Sequence, residues 1–210
     1  MCTTMTLHLV EHPLVGKILT DLRNETTQAS QFRELGKHLT YFLLIEATRG
    51  LRTKPKSVRT PLADFDGSDL GQSIAIVPIL RAGLTMLQPA MEILQDVSVG
   101  YIGTERDETS AVARTYYCKL PILKDKFVIV LDPMLATGHS AEQALEMVVK
   151  QKPDSVVMVS MVVSPEGIRR LENSFPSVPI YTAAVDERLN DRKFIVPGFG
   201  DFGDRAYGTK

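Results

Sequence analysis

The chain has 210 residues, with 24 Lys and Arg against 25 Asp and Glu, so its formal net charge is −1. At 44% apolar and 23% charged residues it can bury a core of its own, which excludes a disordered, collagen-like or coiled-coil chain. With no long run of one sign there is no electrostatic footprint for duplex nucleic acid or an anionic membrane. The expectation is one domain spanning 1–210, with neither a nucleic-acid nor a membrane partner.

Two cysteines, Cys2 and Cys118, are too few for a disulfide framework, and free thiols in a reducing cytoplasm are the default. The longest apolar runs, at 74–80 and 127–131, are strand-sized against the roughly 18 residues a membrane helix requires. The first six residues carry neither the cationic nor the apolar segment of an export signal, so the expected localisation is cytoplasmic.

In chain order, Pro13 with Leu14, Ile18 and Leu22 predicts a short helix that proline opens, since its missing N–H is no loss in a first turn. Phe32, Leu35, Leu39, Phe42 and Leu43 recur at helical spacing. Thr26 or Thr27 is expected to cap that helix and Gly50 to end it in a left-handed conformation, after about five turns. Residues 53–72, rich in Thr, Lys, Pro and Asp with an Asp66-Gly67 turn signal, read as an irregular or hairpin excursion. From Ser73 onward, apolar bursts at 74–79, 97–102, 127–131, 155–163 and 179–185 alternate with helical stretches around 84–95, 141–150 and 165–173. Nearly continuous apolar strands alternating with helices predict an α/β fold whose parallel sheet is covered on both faces. Ligands in such a sheet sit at the carboxyl ends of the strands.

Four stretches carry chemistry. Residues 127–140 read as a buried strand, an acid at its end, a small-residue turn and a helix start. Ala136, Thr137 and Gly138 let successive N–H groups converge, Thr137 and Ser140 add hydroxyl donors, and the helix adds its positive end, which together suit a phosphate monoester. Asp132 would then lie beside the phosphate, where an ionised carboxylate accepts from sugar hydroxyls. A strand-to-helix connection with an ordinary Ser or Thr cap has the same spacing. Residues 76–84 form a second buried strand ending in Arg81, Ala82 and Gly83; the guanidinium suits a diphosphate, and an Arg that only emerges at a sheet edge fits the same pattern.

The polar stretch 103–114 has the length of a lid that would carry Arg106 into a site, or of a solvated connector. The tail, 195–205, contains a literal G-x-G-x-x-G from Gly198 to Gly203. A dinucleotide reading fails on context, because that motif opens a helix inside a βαβ unit with an acid about 20 residues further on, and seven residues follow Gly203. The glycines do offer a backbone that a flat ligand can approach closely, with Asp201 projecting into the site; a ligand-free C-terminal turn is the alternative. His8 and His12 are four apart but have no third metal ligand nearby. His139, inside the phosphate turn, faces either ligand or solvent.

Together these pieces resemble the uracil phosphoribosyltransferases: Val77-Pro-Ile-Leu-Arg-Ala-Gly-Leu84, Asp132-Pro-Met-Leu-Ala-Thr-Gly-His-Ser140, and Pro197-Gly-Phe-Gly-Asp-Phe-Gly-Asp-Arg205 with the ending Gly208-Thr209. Phosphoribosyltransferases in general carry two adjacent acids before the phosphate turn, whereas Asp132-Pro133 is similar to the uracil subgroup. The resemblance implies a Rossmann-like central parallel sheet flanked by helices, the type I phosphoribosyltransferase fold, with a small hood from the N- and C-terminal segments and a flexible lid loop. It implies the reaction of uracil with 5-phosphoribosyl 1-diphosphate (PRPP) to give UMP and diphosphate, in pyrimidine salvage.

By the same resemblance, Asp132, Pro133, Met134, Leu135, Ala136, Thr137, Gly138, His139 and Ser140 would hold the 5′-phosphate and ribose of PRPP. Arg81 and Arg106 would meet the diphosphate, and Mg²⁺ would enter through the diphosphate rather than through protein side chains. Ile195, Gly200, Asp201 and Phe202 would read uracil, mainly through backbone groups, with Asp201 also near PRPP; Arg81, Arg106, Asp132 and Asp201 would be the catalytic set. A homodimer or higher homo-oligomer and a nucleotide effector such as GTP are further implications. Two positions depart from many bacterial members, which carry Gly at 139 and Ala at 202. If the Phe202 ring faced the base, pocket size would change; if it is turned away, the backbone reading stands. A ligand-sensing regulator on the same fold, including one that binds RNA, and a sister reaction on another nucleobase are the competing readings.

Overall fold

The computed structural model describes residues 7–106 and 113–209. The chain opens with β1 (Leu7–Leu9), α1 (Pro13–Arg23) and α2 (Ala29–Ala47), then the paired β2 (Thr53–Arg59) and β3 (Asp64–Leu70). The sheet-forming part follows with β4 (Ile74–Leu80), α3 (Leu84–Ile93), β5 (Ser98–Val99), β6 (Tyr101–Arg106), β7 (Ala113–Lys119), β8 (Phe127–Leu131) and β9 (Met134–Leu135). It continues through α4 (His139–Val149), β10 (Ser155–Val163), α5 (Pro165–Ser174) and β11 (Ile180–Val185), and closes with β12 (Arg188–Leu189), β13 (Ile195–Val196) and α6 (Phe202–Tyr207).

The main sheet runs β1-β11-β10-β8-β4-β6-β7, with β5 beside β4 and β9 beside β10. Every pairing in it is parallel except β6 with β7. Because successive strand residues point to opposite faces, the apolar runs feed two cores at once. Ile74, Ile76, Phe127, Ile129 and Leu131 pack with α1, α2 and α3 on one face, through Leu22, Phe32, Leu39 and Met86. Ala75, Val77, Val128 and Val130 pack on the other face with Leu145 of α4 and Leu171 of α5. Each such fully buried aliphatic side chain contributes about 1.5–3 kcal/mol.

Proline opens α1 as expected, and His12 caps it by accepting from the Leu14 N–H at 3.1 Å through Nδ1. His8 lies in β1, stacked on Tyr181 with ring centroids 4.4 Å apart; the two histidines do not share a helix face. The ends of α2 differ from expectation. Gln28 occupies the N-cap without a side-chain hydrogen bond, and the helix stops at Thr48. Thr27 instead donates its hydroxyl to Asp21 O at 2.6 Å, tying the α1–α2 turn, and the left-handed glycines are Gly138, Gly198, Gly200 and Gly208 rather than Gly50.

Residues 53–70 form a regular antiparallel hairpin. The 97–102 burst is split at Gly100, whose N–H bonds Ile76 O at 2.9 Å and where a Cβ would lie 2.7 Å from Leu120 Cδ2. The polar stretch 103–114 is not a plain loop: its arms belong to β6 and β7, and only its tip, 107–112, lies outside the described residues. No helix among the described residues is long and apolar enough to cross a membrane.

Candidate active site

At the carboxyl end of β8 the chain leaves the sheet core at Leu131, which is fully buried, and turns through Asp132. It returns briefly as β9 against β10 and enters α4 through Gly138. Gly138 has φ +80°, a left-handed conformation that costs a side-chain-bearing residue about 1–2 kcal/mol. Residues of this segment, from Asp132 to Ala141, form one wall of a cleft of about 280 Å³.

Asp132 lies on the floor of this wall. Its hydrogen bond among the described residues comes from the Met134 N–H at 3.4 Å. Burial, opposed only by that bond, pushes its carboxyl up from 3.8 to about 7. A carboxylate held uncompensated in a desolvated place waits for donors to complete it. Thr137, Gly138 and Ser140 line the cleft beside it. His139 does not: its Nδ1 lies 3.0 Å from Thr137 Oγ1, and its side chain faces a neighbouring cavity behind the loop. Pro133 is turned to the sheet, where its carbonyl accepts from the Met161 and Val162 N–H groups at 3.0 and 3.1 Å.

The opposite wall is built from the tail. The short β12–β13 pair brings in Ile195, and the backbone then turns through Gly198 (φ +55°) and Gly200 (φ +73°). A Cβ on Gly198 would lie 2.1 Å from Ile195 O, so only glycine fits that turn. Asp186, 5% exposed, accepts from the Gly198 N–H at 2.7 Å and from both terminal nitrogens of Arg23 at 2.7 and 2.8 Å. Arg205 lies 4.3 Å over the Phe32 ring and donates to Leu22 O, Phe199 O and Asn24 O. Arg33 donates to Ala206 O at 2.7 Å.

Within that frame Asp201 caps α6, accepting from the Asp204 N–H at 2.9 Å, and the residue lines the cleft. Phe202 is 2% exposed, with its ring centroid 4.9 Å from that of Phe32 and 6.1 Å from that of Phe199. The ring is therefore turned into the core, leaving the backbone of residues 200–203 at the cleft.

Of the 76–84 segment, Ala82 reaches the cleft. Arg81 stands at the rim, 59% exposed and 3.7 Å from Asp204. Gly83 packs against Ile79 and Leu131 carbonyls, 2.6 Å from where a Cβ would be. Arg106 ends β6, and its side chain lies outside the described residues. Sequence reasoning passed over Lys193 and Phe194, which line the cleft between the two walls. Lys193 has φ +63° in a turn closed by Asn190, which bonds the Phe194 backbone both ways. The Asn190-Asp191 pair was a turn signal, and the basic Arg192-Lys193 after it was the clue to a cation at the site.

Among the described residues no three His, Cys, Asp or Glu side chains gather as a metal cage. Asp132 and Asp201 stand singly on facing walls. That donor set fits a Mg²⁺ that arrives on a ligand's phosphate oxygens and keeps water and ligand in its shell.

The sequence profile of the family described as "Uracil phosphoribosyltransferase" matches residues 9–209. The chain is 48% identical over 204 residues to the uracil phosphoribosyltransferase of Dictyoglomus thermophilum, covering 96% of this chain and 99% of that one. It is 42% identical over 202 residues to that of Campylobacter concisus, covering 96% and 97%. Among solved structures it is similar to the AQ2163 protein from Aquifex aeolicus, with a TM-score of 0.93 at 39% identity over 98% of this chain and 99% of the other. A hypoxanthine-guanine phosphoribosyltransferase from Bacillus anthracis shares the fold at a TM-score of 0.50 and 12% identity, over 75% of this chain and 80% of that one. With the profile and these relatives spanning nearly the whole chain, it belongs to the uracil phosphoribosyltransferase family.

Proposed function

We propose that the cleft between residues 132–140 and 195–203 is where a phosphoribosyl group passes from PRPP to uracil, within a single domain. The observation that carries this reading is convergence: two segments far apart in sequence, one rich in phosphate donors and one with exposed glycine backbone, line the same cleft. Thr137, Gly138 and Ser140 receive the 5′-phosphate with the N-terminus of α4 behind them. Asp132, once ionised, accepts from the ribose hydroxyls; Met134, Leu135 and Ala136 shape the same wall, while Pro133 and His139 hold the loop from its far side.

Arg81 at the rim and Arg106 on β6 meet the diphosphate, whose departure they stabilise as charge develops on it. Bound Mg²⁺ supplies further charge neutralisation on the diphosphate oxygens. Ile195, Gly200, Asp201 and Phe202 hold uracil through backbone groups so that N1 faces the ribose C1 from the side opposite the diphosphate. The C1–N1 bond forms as the C1–O bond breaks; the electron pair leaves with diphosphate, and the N1 proton of uracil passes to the departing diphosphate or to water. The buried Phe202 ring supports this assignment, since it leaves the backbone rather than a side chain to face the base. Cytosine, with the opposite donor pattern, would leave buried backbone groups unpaired at a cost of several kcal/mol.

The same reading includes a cytoplasmic enzyme that works as a homodimer or higher homo-oligomer. The β2–β3 hairpin supports the latter, exposing Val58, Leu62, Phe65 and Leu70, an apolar group that a second copy would cover; sedimentation velocity checks it. Activation by a nucleotide such as GTP is checked by titrating it into the steady-state assay. The central test is diphosphate release from PRPP with Mg²⁺ and uracil, cytosine, hypoxanthine or no base, while UMP is followed by chromatography. One UMP per diphosphate, with uracil alone, is expected. Release with another base would move the specificity, and no release from folded, PRPP-binding protein would favour a regulator.

A further inference from the structure

The phosphate-binding wall is held from behind by groups that none of the site motifs contains. Ser164, which is fully buried, and the first two turns of α5 tie three successive carbonyls of the loop. The Ser164 N–H donates to Leu135 O at 3.0 Å, the Ser164 hydroxyl to Ala136 O at 2.6 Å, and Arg170 Nε to Thr137 O at 2.8 Å. Arg170 is itself oriented by Glu142 in the first turn of α4, Nη1 to Oε2 at 2.8 Å, and Glu142 also accepts from the Ser174 hydroxyl. The approach is too close for any side chain on Gly167: a Cβ there would lie 2.7 Å from both Leu135 O and Ala136 O. Arg170 also fills the space beside Gly138, with its Cδ 2.9 Å from where a Cβ would be.

A trans peptide plane points its C=O and the next N–H in opposite directions. Drawing the carbonyls of residues 135, 136 and 137 toward α5 therefore aims the N–H groups of residues 136, 137 and 138 away from it, on the cleft side of the loop. Ala136 N–H turns back to Met134 O at 3.1 Å, which leaves those of Thr137 and Gly138 without a partner among the described residues. We infer that Ser164, Gly167 and Arg170 are positioning residues for phosphoryl recognition: they hold the loop carbonyls so that its N–H groups are arranged for a phosphate before one arrives. A preformed set of donors loses less ordering entropy on binding than a loop that must be drawn into shape. The inference rests on the reading that this loop receives the 5′-phosphate.

The test measures binding of ribose 5-phosphate and of inorganic diphosphate, by calorimetry, to the full chain and to Arg170→Met and Gly167→Ala, together with KM and kcat. Arg170→Met is expected to weaken ribose 5-phosphate about tenfold, as loss of a charge-assisted hydrogen bond does. It should leave diphosphate affinity and kcat at saturating PRPP within about twofold. Gly167→Ala should do the same by pushing the carbonyls away while improving the intrinsic helix propensity of α5, and it carries the test if Arg170→Met does not fold. Equal weakening of both ligands, or kcat falling with KM unchanged, would reduce the clamp to a general structural role and overturn the inference. Thr137→Val separates the two levels. If it weakens ribose 5-phosphate while the α5 variants do not, the clamp alone fails; if none of them matters, the reading of the loop fails and the clamp falls with it.

Discussion

The two walls of the cleft are anchored to different parts of the fold. The 132–140 wall is continuous with the sheet: β9 pairs with β10, and the loop carbonyls are tied to the start of α5 by the Ser164 N–H and hydroxyl and by Arg170. The 195–203 wall is a late segment hung on the first two helices by arginine side chains, Arg23 through Asp186 and Gly198, Arg33 through Ala206, and Arg205 through Leu22 and Asn24. A phosphate is the same group in every reaction of this kind, so a donor cradle moulded into the sheet suits it. A base is what distinguishes one reaction from another, and a wall packed on α1 and α2 rather than built from a sheet strand leaves the strands themselves out of that choice.

Arg23→Ala should separate the walls most sharply. It leaves the nearly buried Asp186 carboxylate without its cation, a loss of about 3–5 kcal/mol, or a fall in Tm of about 10 °C for a chain of this size. Uracil KM should rise in the folded fraction while ribose 5-phosphate affinity is kept; equal loss of both ligands would mean that the walls are one unit.

Asp132→Asn acts on the other wall with the opposite sign. The folded-state carboxyl titrates near 7 against a usual 3.8, so the native state holds its proton more tightly than the unfolded chain. The penalty of ionising it is absent below about pH 4, grows between 4 and 7, and is complete above 7. The Asn variant should therefore gain up to about 4 kcal/mol over the parent at pH 8, no more than a small difference at pH 4, and lose most of its activity. In the parent, kcat/KM for PRPP should fall as the pH drops through about 7, and denaturant melts with pH–rate profiles check both statements.

Gly200→Ala is a milder probe of the tail wall. The position has φ +73° but open space, the nearest side-chain atom being Arg205 Cδ at 3.9 Å. A loss of about 1–2 kcal/mol is expected from the left-handed strain alone, with uracil KM as the second readout. Arg59→Ala, on the hairpin where its partner Asp64 is 82% exposed, should leave monomer stability and both ligand affinities unchanged.

The central strands were legible because burial on both faces writes them as uninterrupted apolar runs; 155–163 and 127–131 coincide with β10 and β8. The loop after β8 was legible because its small residues, hydroxyls and preceding acid lie side by side in the chain. What escaped was either short or distant. β1 has three residues, too few for a pattern, and the arms of β6 and β7 are polar, so no alternation marks them. Arg170 reaches Thr137 across 33 residues, and Ser164 reaches Ala136 across 28. Single side chains with partners so far along the chain leave no periodic signature, and Ser164-Pro165 announces a helix start without naming the loop that its hydroxyl holds.

The burial of Phe202 has a consequence for how the proposed base site can change. Its ring tip sits 3.5 Å from where a Cβ would be on Gly36, beside Thr85 and Met161, inside the apolar layer between α2 and the sheet. Residue 202 can therefore be exchanged only in concert with Gly36 and Phe32, as a matter of volume filled beneath the site. Exchanges of aromatic for small residues at 202 should covary with a larger residue at 36, and attempts to retune base choice by mutating 202 alone should return packing defects before new substrates.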